Sequence, residues 1–274
     1  MSRTAFWDSR RNRIRTRKGG WRIGHGISVH GYSLLGDLVG SHGFFEVLYL
    51  EVTGRLPDPR LAQWIEASFL CLAFPDPRIW CNQIGALAGS ARIPPTVGIS
   101  AGVMASESTL YGPGSTRAAH DFLVSAQGAL DGGATLPEVI AACTRPGGRV
   151  RAPGFSRPIA QGDDRVDALR ELGQQLGFTD GSYLRLAAQI DALLCARGDA
   201  GINMLGYLAA FLLDHGDMEI EDGERIYALA VNAGVHACYA EANSEPAGAF
   251  LPLSCDDVEY RGHAPREIPA EWCS

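Results

Sequence analysis

Residues 29–61, "VHGYSLLGDLVGSHGFFEVLYLEVTGRLPDPRL", change character part-way along. The approach to them, from Arg13 to Gly40, is rich in Gly and β-branched residues and reads as one or two short strands with turns. From Ser41 the pattern turns helical. Ser41 is an N-cap residue type, Phe44, Val47, Leu48 and Val52 recur at near-helical spacing, and Gly54 and Pro57 stop the run. The stretch therefore predicts a small β element that gives way to helices.

The remainder repeats the helical half. "PRLAQWIEASFLCLAF" predicts a second helix ended by "PDP". "CNQIGALAGSA" and "TVGISAGVMASESTLYG" predict helices rich in Ala, Gly and Ser, the composition of close helix–helix contact in a buried layer. Val166, Leu169, Leu172 and Leu176 form one apolar face, Leu186, Ile190 and Leu193 a second, and Ile202, Leu205, Leu208 and Leu212 a third. "DGERIYALAVNAGVHACYAEANSE" reads as one last long helix, and the Pro-rich tail after it as an irregular segment laid on the surface or on a partner subunit. No internal repeat is visible. The predicted class is all-α with a small N-terminal β element.

Bulk properties narrow the function. A chain of 274 residues can bury a large core, and its 46% apolar and 20% charged composition is that of a globular protein. A net charge of −7 argues against general nucleic-acid binding, although "SRRNRIRTRKGGWR" (9–22) is strongly basic and reads as a solvated arm or part of a terminal hairpin. Lys18 is the single lysine; every other side-chain cation apart from histidine is arginine, suited to planar carboxylates and phosphates. The seven cysteines are scattered, with no CxxC, which speaks against a disulfide framework or structural zinc. His25 and His30 are the one close histidine pair, so no metal site is expected. With no apolar leader and no run long enough to span a bilayer, the expectation is a cytoplasmic protein with no membrane contact.

The linker "RAPGFSRPIAQGDDR" (151–165) holds three arginines and a Pro153-Gly154 turn. Phe155 can stack on a ligand ring or plug the core. Arg157 and Arg165 can bind an anion, or can be tied up by Asp163, Asp164 and Asp167. On these residues alone a salt-bridged connector and an anion site both stand.

Four segments together resemble the citrate synthase and citryl-CoA lyase family in its short form, over the whole chain. Residues 29–61 are similar to its R/H-G-[YI]-x-[LI]-x-x-L, F-x-E-[VA]-x-[YL]-L and G-x-L-P run. "ISAGVMASESTLYGPGSTRAA" resembles the helix leading to G-P-L-H-G-G-A, "APGFSRPIAQGDDR" resembles P-G-F-G-H-P-[IL]-x-x-x-D-P-R, and "GINMLGYLAAFLLDHG" resembles the N-x-D helix. A weaker match is "VNAGVHACYAEANSEP", with Gly234 and Glu241 in step. The resemblance implies an all-α fold in two lobes, 1–115 with 215–274 against 116–214, and a homodimer. It also implies a cleft for a CoA thioester and a carboxylic acid, with no metal. Pro153, Gly154 and Phe155 would face the CoA. The reaction implied is Claisen-type C–C bond formation or cleavage, as in an acyltransferase or C–C lyase.

The departures bear on mechanism. The family's two catalytic histidines fall on Ser115 and Arg157, its catalytic aspartate on Met204 beside Asn203, and a carboxylate-binding arginine on Val231, while the arginine of D-P-R is kept as Arg165. Methionine accepts no proton and arginine stays protonated, so the usual enolisation route is disabled. Two readings follow. One is a divergent enzyme in which Ser115 and Arg157 act at the reacting centre and Arg117, Arg165, Asn203 and Met204 line the substrate site. Its replacement base would come from among His120, His236, Glu107 and Asp76, of which His120 is nearest to Ser115 in sequence. The other is a catalytically inactive binding or regulatory partner.

Overall fold

The computed structural model describes residues 4–108, 112–146, 150–156, 162–269 and Trp272. After a single turn, α1 (Ala5–Asp8), the glycines at 19, 20, 24, 26 and 31 fold the approach region into a three-stranded antiparallel sheet: β1 (Gly19–Arg22), β2 (Gly26–Val29) and β3 (Tyr32–Ser33). His25 and His30 lie at opposite ends of β2. Lys18 roots the sheet on the helix that follows, α2 (Phe44–Thr53), donating to Glu51 O (2.6 Å) and Val52 O (2.8 Å). A cation there meets the negative end of the helix.

The predicted helix from Ser41 is real, but its cap is different. Gly43 is the N-cap, and Glu46 reaches back to the Gly43 N–H (2.8 Å) and to His42 Nδ1 (3.1 Å). The stop is as expected: Gly54 takes a left-handed conformation (φ 90°) that suits glycine. Then follow α3 (Pro59–Leu72), α4 (Trp80–Ser90), α5 (Pro95–Met104), α6 (Pro113–Asp131), α7 (Leu136–Ala142), α8 (Asp164–Gln175), α9 (Ser182–Ala196), α10 (Met204–His215), α11 (Ile220–Tyr227) and α12 (Asn232–Ser244). The last long helix expected from sequence is thus two helices, divided at residues 228–231, and α5 stops at Met104 rather than running on towards residue 112.

The core is built in two groups. The larger joins α2, α3 and α6–α11. At its centre Trp64 stacks on Phe211 (centroids 3.5 Å apart) and donates to Leu169 O (3.2 Å), so α3 is fastened to α8 and α10. The smaller group is a layer of α4, α5 and α12, held by Cys81, Val103, Val231 and Val235, with Ala86, Cys238 and Ala242 alongside. Glycines set its spacing: a Cβ on Gly89 would overlap Tyr239 O, and one on Gly102 would stand 2.6 Å from the Val235 side chain. The close packing read from the Ala/Gly/Ser content is present. Burial is one-sided, however, because Val97 and Met104 on α5 remain 60% and 77% exposed. Among the described residues no helix is long and apolar enough to cross a membrane.

Candidate active site

Three segments that lie far apart in sequence meet at one point: the first turns of α6, the turn at residues 152–156, and the N-terminus of α10. Gly154 adopts φ 83°, and its carbonyl accepts from the Asn203 N–H (2.9 Å). A Cβ on Gly154 would stand 2.7 Å from Gly206 Cα and 3.0 Å from Ala119 Cβ. Only backbone without side chains can approach this closely. Asn203 then caps α10, its Oδ1 accepting from Leu205 N (2.9 Å) and Gly206 N (3.0 Å) while its Nδ2 donates to Ser156 O (2.6 Å).

Asp163 fixes the same corner from beneath. Its side chain is fully buried, and it accepts from the Met204 N–H (2.9 Å) and, through both oxygens, from Arg165 Nε (2.7 Å) and Nη2 (2.6 Å). Arg165 also donates to Cys71 O (3.3 Å). A buried carboxylate that is paired and fully hydrogen-bonded holds three elements in register. For Arg165 the connector alternative is therefore the one the geometry shows.

Beside this corner lies a small, mostly apolar cleft of about 20 Å³, lined by Leu72, Ser106, Thr116, Leu205, Leu208, Tyr227 and Val231. Tyr227 is no acid for this cleft. Ser68 donates to Ile65 O (2.6 Å), so the Tyr227 hydroxyl donates to Ser68 Oγ (2.6 Å), and burial pushes its pKa up.

The sequence-derived candidates divide around the cleft. Ser115 is half-buried in the first turn of α6, one residue before Thr116. Arg157 lies outside the described residues. Arg117 points to α11, where Glu224 (2.5 and 2.6 Å) and Glu221 (2.9 Å) hold it; those bonds raise its pKa and lower that of Glu224. It is a helix tie, not a free anion binder. His120 pairs with Asp121 (2.9 Å) and is not in the cleft wall.

Met204, expected at the substrate, is 0% exposed. The cause is simple: Asp163 takes its N–H, and its apolar side chain belongs to the core. Phe155, expected to face CoA, is 3% exposed with its ring edge-on to Phe122 (5.9 Å). It is the plug that anchors the turn, and Pro153 and Ser156 are the exposed residues of that turn. Val231 is buried with Cys81, Val103 and Val235.

The structure also ranks the bases that the sequence leaves unranked. The side-chain and backbone donors of Arg78 hold Asp76 down to about 2, which makes it a poor base at neutral pH. His236 is exposed on α12 and bonded to Asn232 O (2.9 Å). Glu107 is exposed and, like His120, outside the cleft lining, but it follows the lining residue Ser106, and its Oε1 accepts from the Gly114 N–H (3.1 Å) at the α6 N-terminus, one residue before Ser115. No ranking is possible from sequence because Glu107 comes eight residues before Ser115, and only the bond to the Gly114 N–H sets it at the helix end. Among the described residues no three His, Cys, Asp or Glu side chains cluster as metal ligands would.

No family model matches the sequence, and no curated protein matches it. Solved structures do. A citryl-CoA lyase from Hydrogenobacter thermophilus superposes with a TM-score of 0.78 at 23% identity, over 95% of this chain and 99% of that one. The chain has the citrate synthase-like fold. An ATP citrate lyase from Methanosaeta concilii, in complex with (3S)-citryl-CoA, is similar at a TM-score of 0.73 and 16% identity, over 96% of this chain and 45% of that one. A citrate synthase from Pyrobaculum aerophilum gives 0.62 and 20%, over 84% and 56%. The citrate synthase-like chain described here thus spans nearly all of the lyase but only about half of the other two. In it, the corner built by Gly154, Asn203 and Asp163 carries the segments that the sequence motifs had marked.

Proposed function

We propose that this chain is a divergent citrate synthase-like enzyme that binds a CoA thioester and forms or cleaves the C–C bond between the thioester's α-carbon and the carbonyl carbon of a carboxylic-acid acceptor. What supports this is one observation. The α6 start and the α10 start, two of the segments whose sequences resemble the family's site, line one cleft, and the third, the 152–156 turn, packs against both of them, in a chain that superposes end to end on a citryl-CoA lyase.

The residues at hand give this reading a revised set of roles. Glu107 is the base. Among the described residues it is the one carboxylate at the α6 N-terminus, and a backbone N–H rather than a cation holds its Oε1. Ser115 donates a hydrogen bond to the carboxylate or thioester oxygen. Asn203 and Asp163 position the α10 end, and Arg157 remains the candidate anion binder. Pro153 and Ser156, on the exposed rim of the turn, would touch the CoA. Closure of residues 116–214 over the rest would exclude water. The enzyme would work as a homodimer: α5 has no charged residue and presents Val97, Ala101 and Met104 to solvent.

Calorimetry of CoA, acetyl-CoA and a panel of di- and tricarboxylates, followed by thiol release from acyl-CoA thioesters, tests the reading. Micromolar CoA binding with turnover is expected. Glu107→Gln should keep CoA binding and lose roughly 10²–10⁴-fold in turnover. Carboxylate binding without CoA would mean a repurposed cleft.

A second reading, a catalytically inactive binding partner, is favoured by a different observation. Met204 and Val231 are buried, and carboxylates hold Arg117 and Arg165. Tight CoA binding with no turnover of any thioester, unaltered by Glu107→Gln, would select it.

A further inference from the structure

Both ends of the chain leave the folded body, and they carry opposite charge. Residues 9–22 hold seven cations and no carboxylate, and Arg13, Arg15 and Arg17 are exposed. Ile14 among them is 99% accessible, and Trp21, on β1 where the arm enters the sheet, is 71% accessible. At the other end, residues 251–269 hold four carboxylates and two arginines, with Leu253 and Tyr260 each 76% exposed. Apolar side chains displayed at this density are unusual on an isolated globular chain and mark a contact surface.

Each arm has a firm root. Lys18 fastens the N-terminal arm to the end of α2. The tail is fastened to the end of α4, where the Gly248 N–H donates to Ser90 O (3.1 Å) and the Phe250 N–H to Ser90 Oγ (3.1 Å). Beyond those roots the ion pairs of the two arms are local, Arg11 with Asp8 and Arg261 with Glu259. Among the described residues no hydrogen bond or ion pair joins 9–22 to 251–268. The tail therefore departs from the edge of the α4–α5–α12 layer, the layer whose uncharged helix α5 is the proposed dimer face.

We propose that the arms pair across the dimer: the basic N-terminal arm of one copy lies along the acidic C-terminal tail of the other. This rests on the homodimer reading above. A two-fold axis makes the contact twice, so a modest charge match counts double. Arginines alternate with Ile14 and precede Trp21, while Asp256 and Glu259 lie between Leu253 and Tyr260, so each strand offers both charge and apolar area to the other. Such a contact weakens with salt.

Two variants test it, with oligomeric mass followed by light scattering over a dilution series. One carries Arg13→Glu, Arg15→Glu and Arg17→Glu; the other carries Asp256→Arg and Glu259→Arg. All five side chains are exposed, so both variants should fold, and circular dichroism checks this. Each alone should raise the dimer dissociation constant at least about tenfold. Their mixture should recover the parental affinity as a mixed dimer, because each acidic arm then meets a basic tail and each basic arm an acidic tail. Pairing within one copy predicts no recovery. A mixture as weak as either variant, or variants that dimerise like the parent, would overturn the proposal while leaving the dimer intact. A parent that is monomeric at every concentration would remove the homodimer reading, and this proposal with it.

Discussion

At the scale of single residues, the site corner depends on what is missing from two side chains. A Cβ on Gly206 would overlap the Gly154 carbonyl oxygen, which is backbone and cannot rotate away. Gly206→Ala should therefore push the 152–156 turn off α10 and lose about 2–4 kcal/mol, read as a fall in thermal midpoint. Gly128, exposed in the interior of α6, is the control. A Cβ there would meet nothing within 4 Å, so Gly128→Ala should gain about 0.5–1 kcal/mol. Equal effects at the two sites would refute the close-approach argument. Sequence marks Gly154 as a turn glycine, but not Gly206 as its steric partner, because the two meet only after α10 docks. The same holds for charge. Arg117 reads as a free cation in the sequence because Glu221 and Glu224, which neutralise it, lie more than a hundred residues away. Phe155 is ambiguous on chemistry alone, and burial against Phe122 decides it.

At the scale of elements, stop signals are legible and start signals less so. Gly54, Pro57 and the "PDP" run end helices where they should, since a left-handed or prolyl residue acts locally. Ser41 misleads because Glu46 offers a competing cap one turn further on. Burial alone would raise the Glu46 pKa, but the Gly43 N–H and His42 outweigh it and hold the carboxyl below its usual 4.5. A carboxylate lowered on folding adds stability above its ordinary pKa and loses it as pH falls. Glu46→Gln should accordingly cost less than about 1 kcal/mol at pH 7, and the deficit should shrink towards pH 3 in urea unfolding. A deficit unchanged with pH would mean that the carboxylate charge is irrelevant to the cap. The break between α11 and α12 leaves no mark in the sequence. No glycine or proline stands at 228–231, and Ile226, Tyr227, Ala230, Val231 and Val235 keep a helical rhythm across it. What divides them is destination: α11 docks on α6 and α2, and α12 on α4 and α5.

At the scale of the whole molecule, the helical class and the order of segments are readable because periodicity and turn residues are local properties, and the fold's overall match to a citryl-CoA lyase agrees with them. The one-sided burial of the Ala/Gly/Ser-rich layer is not readable, because composition reports close packing without saying which face is covered. Gly85, Gly98 and Gly102 face inward, and Val97, Ala101 and Met104 face out. A ten-residue helix without a single charge, presented to water, has the character of a contact surface. A second copy is the partner proposed above, and α5 offers a test of it that is independent of the terminal arms. Ala101→Arg places a cation at the centre of the exposed face, where a desolvated unpaired charge is costly, yet leaves the inward glycines untouched. Light scattering should then show the mass of one chain at concentrations where the parent shows two, with circular dichroism and thermal midpoint close to the parent's. If the variant keeps the double mass, the dimer does not use α5, and the uncharged face must be assigned to another role.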